Sequence, residues 1–111
     1  MSVAQARDAE ASGELVLIDI RTPGEWAASG VPDVAVPIDI RSRYFLSHIA
    51  HLKREQPERL IGFIYATGGR SAHVAKHLDD AGLHGIVDVA AGVHGRPGSW
   101  LAQGLPVKRP K

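Results

Sequence analysis

The segment FIYATGGRS, residues 63–71, has residue types and a spacing that could bind an anion or activate a nucleophile. Gly68 and Gly69 permit a tight turn, and the residues after Ser71 show the apolar spacing of a helix. A glycine turn that enters a helix leaves several backbone N–H groups without helical partners, and the helix dipole adds positive potential there. The segment therefore predicts a loop that presents N–H donors to an anion. The residue at its entrance is Tyr65.

Two familiar phosphate-binding patterns do not match this loop. A P-loop requires G-x-x-x-x-G-K-[ST], whereas here Arg70 stands in the lysine position and Ile64 in the position of the first glycine. A dinucleotide-binding loop requires G-x-G-x-x-G, which the segment lacks. Neither a nucleoside triphosphate nor a dinucleotide is therefore predicted as a ligand.

Four apolar runs that could position the loop have the length and composition of β-strands. LVLIDI (15–20) and LIGFIY (60–65) are short and rich in branched side chains, as the buried strands of parallel sheets are, and GIVDVA (85–90) is predicted to be the final strand. VAVPI (34–38) contains a proline, which removes a backbone donor, so it is predicted to be an edge strand.

Helical patterns lie between these strands. The clearest helix start is TPGEW, where Thr22 is the predicted N-cap, Pro23 occupies N1 and Glu25 completes a capping box. Ser42 and Ser71 are predicted to cap the helices before and after the strand at 60–65. The helices are predicted at 3–11, 23–29, 43–55, 71–81 and 97–104.

Strands that alternate with helices predict an α/β fold with a parallel sheet and helices on both faces. Ligands of such sheets bind beyond the carboxyl ends of the strands. Three parts of the chain reach that edge: the strand end with Asp19 and Arg21, the loop 65–70, and the loop 90–95. Asp19 and Arg21 are expected to stabilise loops beside the site.

The composition suits one soluble domain and excludes several chemistries. The 111 residues are enough for a single core, so one domain over 1–111 is expected. Because the net charge is +1 and only the terminal VKRPK is basic, nucleic acid is not an expected partner. The chain has no cysteine, which excludes disulfides, thiolate metal sites and a thiol nucleophile. No apolar run approaches the ~20 residues of a membrane span and the first residues do not resemble a signal peptide, so a cytoplasmic location is expected.

Several motifs, in the right order, resemble those of the rhodanese family. The family's loop has the pattern Cys-x-x-Gly-x-Arg followed by Ser and a helix, and residues 65–71 match it with Tyr65 in the cysteine position. LVLIDIRTPGEW (15–26) resembles the family's first core strand, with its Asp-x-Arg and following helix. AAGVHGRPGSWLAQGLPV (90–107) resembles the closing Gly-rich loop, tryptophan helix and Gly-Leu-Pro-Val ending. The resemblance covers nearly the whole chain.

The resemblance implies a single rhodanese-like domain with a small, mostly parallel sheet of about five strands and helices on both faces. Family members with an intact loop carry a sulfane sulfur as a cysteine persulfide and pass it to cyanide or another thiophilic acceptor. The candidate site residues are Tyr65 at the nucleophile position, Ala66, Thr67, Gly68, Gly69, Arg70 and Ser71 in the anion-binding loop, and Asp19, Arg21 and Glu25 as supporting residues.

Tyr65 is not expected to do what the family's cysteine does. A phenol has a reference pKa of about 10, and its oxygen cannot form a persulfide. The phenol oxygen also lies several bonds further from Cα than a cysteine sulfur, so it cannot sit where the N–H donors converge. Tyr65 is therefore predicted to plug or overhang an idle pocket, and ordinary sulfur transfer through the loop is not expected.

For several charged residues a structural explanation competes with a functional one. Arg70 either binds a substrate anion or pairs with a carboxylate such as Asp19 or Glu25. Arg41 and Arg43 could flank the mouth of the pocket, but a solvated helix start is the expected explanation.

The histidines and tryptophans are expected to be structural. His73 and His77 lie one helical turn apart, which suits two metal ligands, but HVAKH lacks the glutamate of H-E-x-x-H. No metal or other cofactor is therefore expected. Trp26 and Trp100 are expected to pack in the core or at its margin.

Three functional interpretations remain open. The favoured one is a catalytically inactive rhodanese-like domain that acts in binding or regulation, with a small oxyanion, a sulfur-containing ligand or an unidentified protein as its partner. The second is a sulfurtransferase whose cysteine has been substituted at position 65. The third is a phosphatase-like enzyme on the same fold, which would also need a loop cysteine and usually a loop one residue longer.

Overall fold

The computed structural model describes residues 1–66, 69–80, 82, 85–95 and 97–109, and of residues 69–73 and 75 the backbone only. The helices are α1 (Val3–Ala11), α2 (Pro23–Ser29), α3 (Phe45–Glu55) and α4 (Gly69–Asp80). The strands are β1 (Leu15–Asp19), β2 (Val31–Pro32), β3 (Val36–Pro37), β4 (Leu60–Ile64), β5 (Ile86–Asp88) and β6 (Val107–Lys108).

The described residues form an α/β domain around a parallel sheet. Its strand order is β3-β1-β4-β5, and each neighbouring pair is parallel. In the centre, Ile18 lies opposite both Val36 and Phe63. The predicted parallel sheet is confirmed, and β3 is an edge strand as its proline indicated. Within the described residues the sheet has four strands rather than about five, because β2 and β6 pair with each other in a separate antiparallel ribbon.

Alternate residues of the two central strands point to opposite faces of the sheet, and each face has its own core. The first core, against α3 and α4, contains Val16, Ile18, Ile20, Ile38, Phe45, Ile49, Ile61, Phe63, Tyr65 and Leu78. The second core, against α1 and the segment around Trp100, contains Val3, Ala6, Leu15, Leu17, Val31, Ala35, Ile64, Val89, Val93 and Trp100. Helices on both faces are thus confirmed.

The start of α2 is confirmed in detail. Thr22 is its N-cap, Pro23 opens the helix, and Glu25 completes a reciprocal capping box. Helix α1 also has the predicted bounds and ends at Ser12. None of the described helices combines the length and apolarity that crossing a bilayer requires.

Both serine caps were predicted wrongly. Helix α3 begins at Phe45 with Tyr44 as its N-cap residue, and Ser42 instead accepts a hydrogen bond from the Tyr44 backbone N–H at 3.1 Å. This local bond closes a turn just before the helix, an arrangement that competes with helix capping. Helix α4 begins at Gly69, so Ser71 lies inside its first turn and is not its N-cap.

The helix predicted at 97–104 is also wrong, because this segment forms turns. The Trp100 side chain is fully buried, and its Nε1–H donates to the Pro106 carbonyl at 2.9 Å. The Trp100 backbone N–H donates to the Gly92 carbonyl at 2.9 Å. These two bonds join Trp100 to the residues before and after the segment, and the chain turns back toward β6. The predicted core position of Trp100 is confirmed.

Candidate functional site

Asp19 and Arg21 form a buried ion pair where β1 ends. Both side chains have no exposed surface, and Arg21 Nη2 lies 2.8 Å from Asp19 Oδ2. Arg21 also donates to Ser29 Oγ at 2.6 Å and to the Gly30 carbonyl at 2.7 Å. The pair therefore ties the end of α2 to the end of β1, and its donors and acceptors are directed at the protein itself.

Glu25 serves the start of α2. Its Oε1 accepts hydrogen bonds from the backbone N–H and the hydroxyl of Thr22, at 3.4 and 3.1 Å. Asp19 and Glu25 are the two carboxylates that were expected as alternative partners of Arg70. Both of them thus have other partners. The Arg70 side chain lies outside the described residues, so its pairing stays a prediction.

Tyr65 follows the last residue of β4, and its side chain is buried. It is 8% exposed and belongs to the first core. Ile61 and Phe63 precede it by four and two residues, so the three side chains lie on the same face of the sheet. The residue in the nucleophile position therefore contributes to packing between the sheet and helices α3 and α4. The prediction that the ring plugs or overhangs an idle pocket stays a prediction, because Thr67 and Gly68 lie outside the described residues.

The loop 90–95 holds the backbone that leaves β4. The Val93 N–H donates to the carbonyls of Tyr65 and Ala66 at 2.9 and 3.1 Å, and the His94 N–H donates to Ala66 at 3.1 Å. Gly92 approaches this backbone closely: it has φ +71°, and a Cβ on it would lie 2.5 Å from the Ala66 carbonyl oxygen. The strand pattern predicted the edge at which this loop lies, but Gly92 and Val93 were not among the candidate residues. The glycines of AAGVHG were the signal available.

Gly92→Ala is expected to destabilise the domain by about 2–4 kcal/mol, because a side chain at positive φ is strained and the new methyl group would overlap the Ala66 carbonyl. Urea unfolding measures this change. Gly104→Ala is the matched control, since Gly104 also has φ +71° but a Cβ on it would meet no atom within 4 Å. An equal loss in both variants would contradict the close approach of loop 90–95 to Ala66.

The remaining residues of the predicted anion loop are only partly described. Thr67 and Gly68 lie outside the described residues, so the shape of the loop stays a prediction. Gly69 opens α4, whose first backbone N–H groups have no acceptor within the helix. This helix start can attract an anion through those donors and through its dipole.

The other polar candidates do not join this site in the part of the chain that is described. The His73 side chain lies outside that part and His77 is exposed, and the described residues contain no group of three histidine or acidic side chains placed to hold a metal. Arg41 pairs with Asp39 at 3.3 Å. The Arg41 backbone N–H is the main cause that lowers the pKa of Asp39, with a smaller contribution from the guanidinium. Arg43 lies over the Tyr44 ring, 5.2 Å from its centroid.

Comparisons with known proteins identify a family and several similar structures. A family model for the rhodanese-like domain matches residues 2–95. Rv0390 from M. tuberculosis is a similar solved structure, with a TM-score of 0.78, 24% identity, and coverage of 99% of this chain and 96% of that one. The polysulfide-sulfur transferase homodimer of Wolinella succinogenes has a TM-score of 0.66 and 28% identity, with coverage of 99% and 77%.

A third similar structure is the human single-domain sulfurtransferase TSTD1. Its TM-score is 0.62 and its identity is 21%, with coverage of 83% of this chain and 88% of that one. A search of curated protein sequences finds no significant match. At these identities Rv0390 and TSTD1 show the likeness of the fold alone.

Proposed function

This chain belongs to the rhodanese-like domain family, and we propose that it is a non-catalytic member which binds a small oxyanion at the loop between β4 and α4. The observation that carries the proposal is the identity and position of residue 65. The chain has no cysteine, and the tyrosine in the nucleophile position is buried in the first core.

The sulfur-transfer cycle requires an atom that this chain does not supply. A thiolate attacks the outer sulfur of thiosulfate, an S–S bond forms, and sulfite leaves with the electron pair of the broken bond. The phenol of Tyr65 has no sulfur with which to form that bond. The chain also has no cysteine that could supply the sulfur instead. The fold is therefore retained in a chain that lacks the family's nucleophile.

Two features of the site support anion binding. The start of α4 offers backbone N–H groups together with the positive end of a twelve-residue helix. The carbonyls of Tyr65 and Ala66, which would repel an anion, accept hydrogen bonds from the loop 90–95. Hydrogen bonding to these oxygens reduces the negative potential at the entrance to the loop between β4 and α4.

Sulfate is expected to bind weakly but saturably at the loop, because the N–H donors of α4 and the charge of Arg70 favour a small oxyanion. Titration of the labelled protein with sodium sulfate should shift the amide resonances of residues 66–71, whereas sodium chloride of equal ionic strength should not. Arg70→Gln should weaken the binding several-fold. If these amides respond equally to both salts, the loop does not bind oxyanions.

The second candidate is a sulfurtransferase in which cysteine at position 65 has been replaced. The loop pattern around Tyr65 favours it, since Gly68, Arg70 and Ser71 all match the family's motif. The codon for residue 65 in the natural gene distinguishes the two candidates. A cysteine codon there would make the tyrosine an introduced change.

A further inference from the structure

A pocket lies between the start of α3 and the middle and second half of α4. Its volume is about 420 Å³, which falls within the ~300–1,000 Å³ range of small-molecule sites. Most of its wall is apolar. The apolar lining residues are Ile40, Phe45, Leu46, Val74 and Leu78.

The polar groups of this pocket include two basic side chains. Ser42, Arg43 and His77 complete the described lining, which contains no acidic residue. Neither the Arg43 nor the His77 side chain forms a hydrogen bond or ion pair with another described residue; the Arg43 guanidinium lies over the Tyr44 ring, 5.2 Å from its centroid. Among the described residues, the pocket therefore combines an apolar wall with two basic side chains that have no hydrogen-bond or ion-pair partner.

Arg43 differs from four other arginines in that its guanidinium has no carboxylate partner among the described residues. These four each pair with a carboxylate at 2.8–3.3 Å: Arg7 with Asp33, Arg21 with Asp19, Arg41 with Asp39, and Arg59 with Glu10. The Tyr44 ring holds the Arg43 guanidinium by a cation–π contact, which leaves the N–H edges of the group able to donate to a ligand.

We propose that this pocket binds a small organic anion that carries one carboxylate on an apolar body. The apolar part would cover Leu46, which is 53% exposed, and the carboxylate would accept hydrogen bonds from Arg43. The proposal goes beyond the oxyanion site, because it depends on an apolar wall; among the described lining residues, Val74 is the nearest in sequence to the start of α4, five residues after Gly69. An inorganic oxyanion has no apolar part to fill this pocket.

Three probes separate the contributions of charge and apolar body. Octanoate carries both, octanamide keeps the apolar chain without the charge, and acetate keeps the charge without the chain. Octanoate is expected to shift the amide resonances of residues 42–46 and 77–78 saturably, with octanamide binding about 5–10-fold more weakly and acetate showing no saturable effect.

Two arginine variants test the role assigned to Arg43. Arg43→Gln should weaken octanoate binding about 5–10-fold and leave octanamide binding unchanged, since only the charged hydrogen bond is lost. Arg41→Gln is the matched control, because Arg41 lies two residues away, pairs with Asp39 and is not in the described lining; it should leave both affinities unchanged. Circular dichroism verifies that each variant is folded.

Several results would overturn the proposal. Equal binding of octanoate and octanamide would mean that the charge has no role, and equal weakening by the two arginine variants would mean that only general charge attracts the ligand. No saturable shift with octanoate would mean that the pocket does not take this class of ligand. Concentration-dependent dimerisation that protects Leu46 would identify a second copy of the chain as the occupant. Sulfate binding at residues 66–71 is measured separately, so failure of either proposal leaves the other standing.

Discussion

Replacing Tyr65 with cysteine is expected to give a protein that takes up one sulfur atom from thiosulfate and releases one sulfite. The substitution completes the family's loop pattern, in which the thiol is expected to lie near the start of α4. A helix N-terminus and a neighbouring arginine favour the thiolate over the thiol, which increases the fraction that can attack thiosulfate at neutral pH. Mass spectrometry detects the added sulfur atom, and a sulfite assay detects the leaving group.

The same variant is expected to be less stable by about 2–4 kcal/mol, because a cysteine leaves most of the volume of a buried aromatic ring empty. Tyr65→Ser is the matched control: it leaves a similar cavity but has no thiol. It should show a comparable loss in urea unfolding and no sulfur uptake. The pair of variants thus separates the packing role of residue 65 from its position in the loop.

Two outcomes would contradict these roles of residue 65. A folded Tyr65→Cys protein whose thiol has ordinary reactivity and takes up no sulfur would show that the loop does not retain the properties of a sulfur-transfer loop. A Tyr65→Ser protein as stable as the parent would show that the tyrosine ring does not contribute to the core.

Arg21→Met is expected to destabilise the domain by about 3–5 kcal/mol, because it leaves the Asp19 carboxylate buried without its charged partner. This is a large share of the ~5–15 kcal/mol that stabilises a typical domain. Arg21 also bonds Ser29 and Gly30, so the end of α2 should lose its attachment to β1. Urea unfolding gives the free energy, and hydrogen exchange at α2 shows whether the loss is local or global.

Arg41→Met provides the comparison for this variant. Arg41 pairs with Asp39 in the same Asp-x-Arg spacing, but its side chain is 67% exposed, whereas Arg21 is fully buried. Exposed pairs contribute about 0–1 kcal/mol, so Arg41→Met should change stability little. Similar effects of the two substitutions would mean that burial of the Asp19–Arg21 pair does not determine its importance.

Features with a strong local signal could be predicted from the sequence. The start of α2 is one, because Thr22, Pro23 and Glu25 act within a single turn and agree with each other. The buried parallel strands are another. Short runs of branched residues between helical patterns are typical of the strands of a parallel sheet. The predicted strands also indicated the edge of the sheet at which the candidate site lies.

Three other features could not be predicted from the local sequence pattern. The pairing of β2 with β6 joins Val31 to Lys108, and two-residue strands show no periodicity. Ser42 gave a local signal, but its hydroxyl stabilises the turn before α3 rather than the helix itself. The turns at 97–104 accompany bonds from Trp100 to the carbonyls of Gly92 and Pro106, which the helical pattern of the segment did not indicate.

The burial of Tyr65 could have been predicted more firmly. In the run LIGFIY, Ile61, Phe63 and Tyr65 alternate in a strand, which places all three side chains on one face. The loop motif indicates a chemical role for position 65, whereas the strand periodicity indicates a core position. The two observations are compatible, since the residue ends the strand and begins the loop.

A thiosulfate–cyanide sulfurtransferase assay on the chain as it stands tests whether this domain lacks the family's catalytic activity. Because the chain has no cysteine and Tyr65 occupies the nucleophile position, we expect no thiocyanate above that formed with a heat-treated sample of the same protein. Clear, protein-dependent turnover that heat treatment abolishes would contradict the claim that this rhodanese-like domain is not a sulfurtransferase.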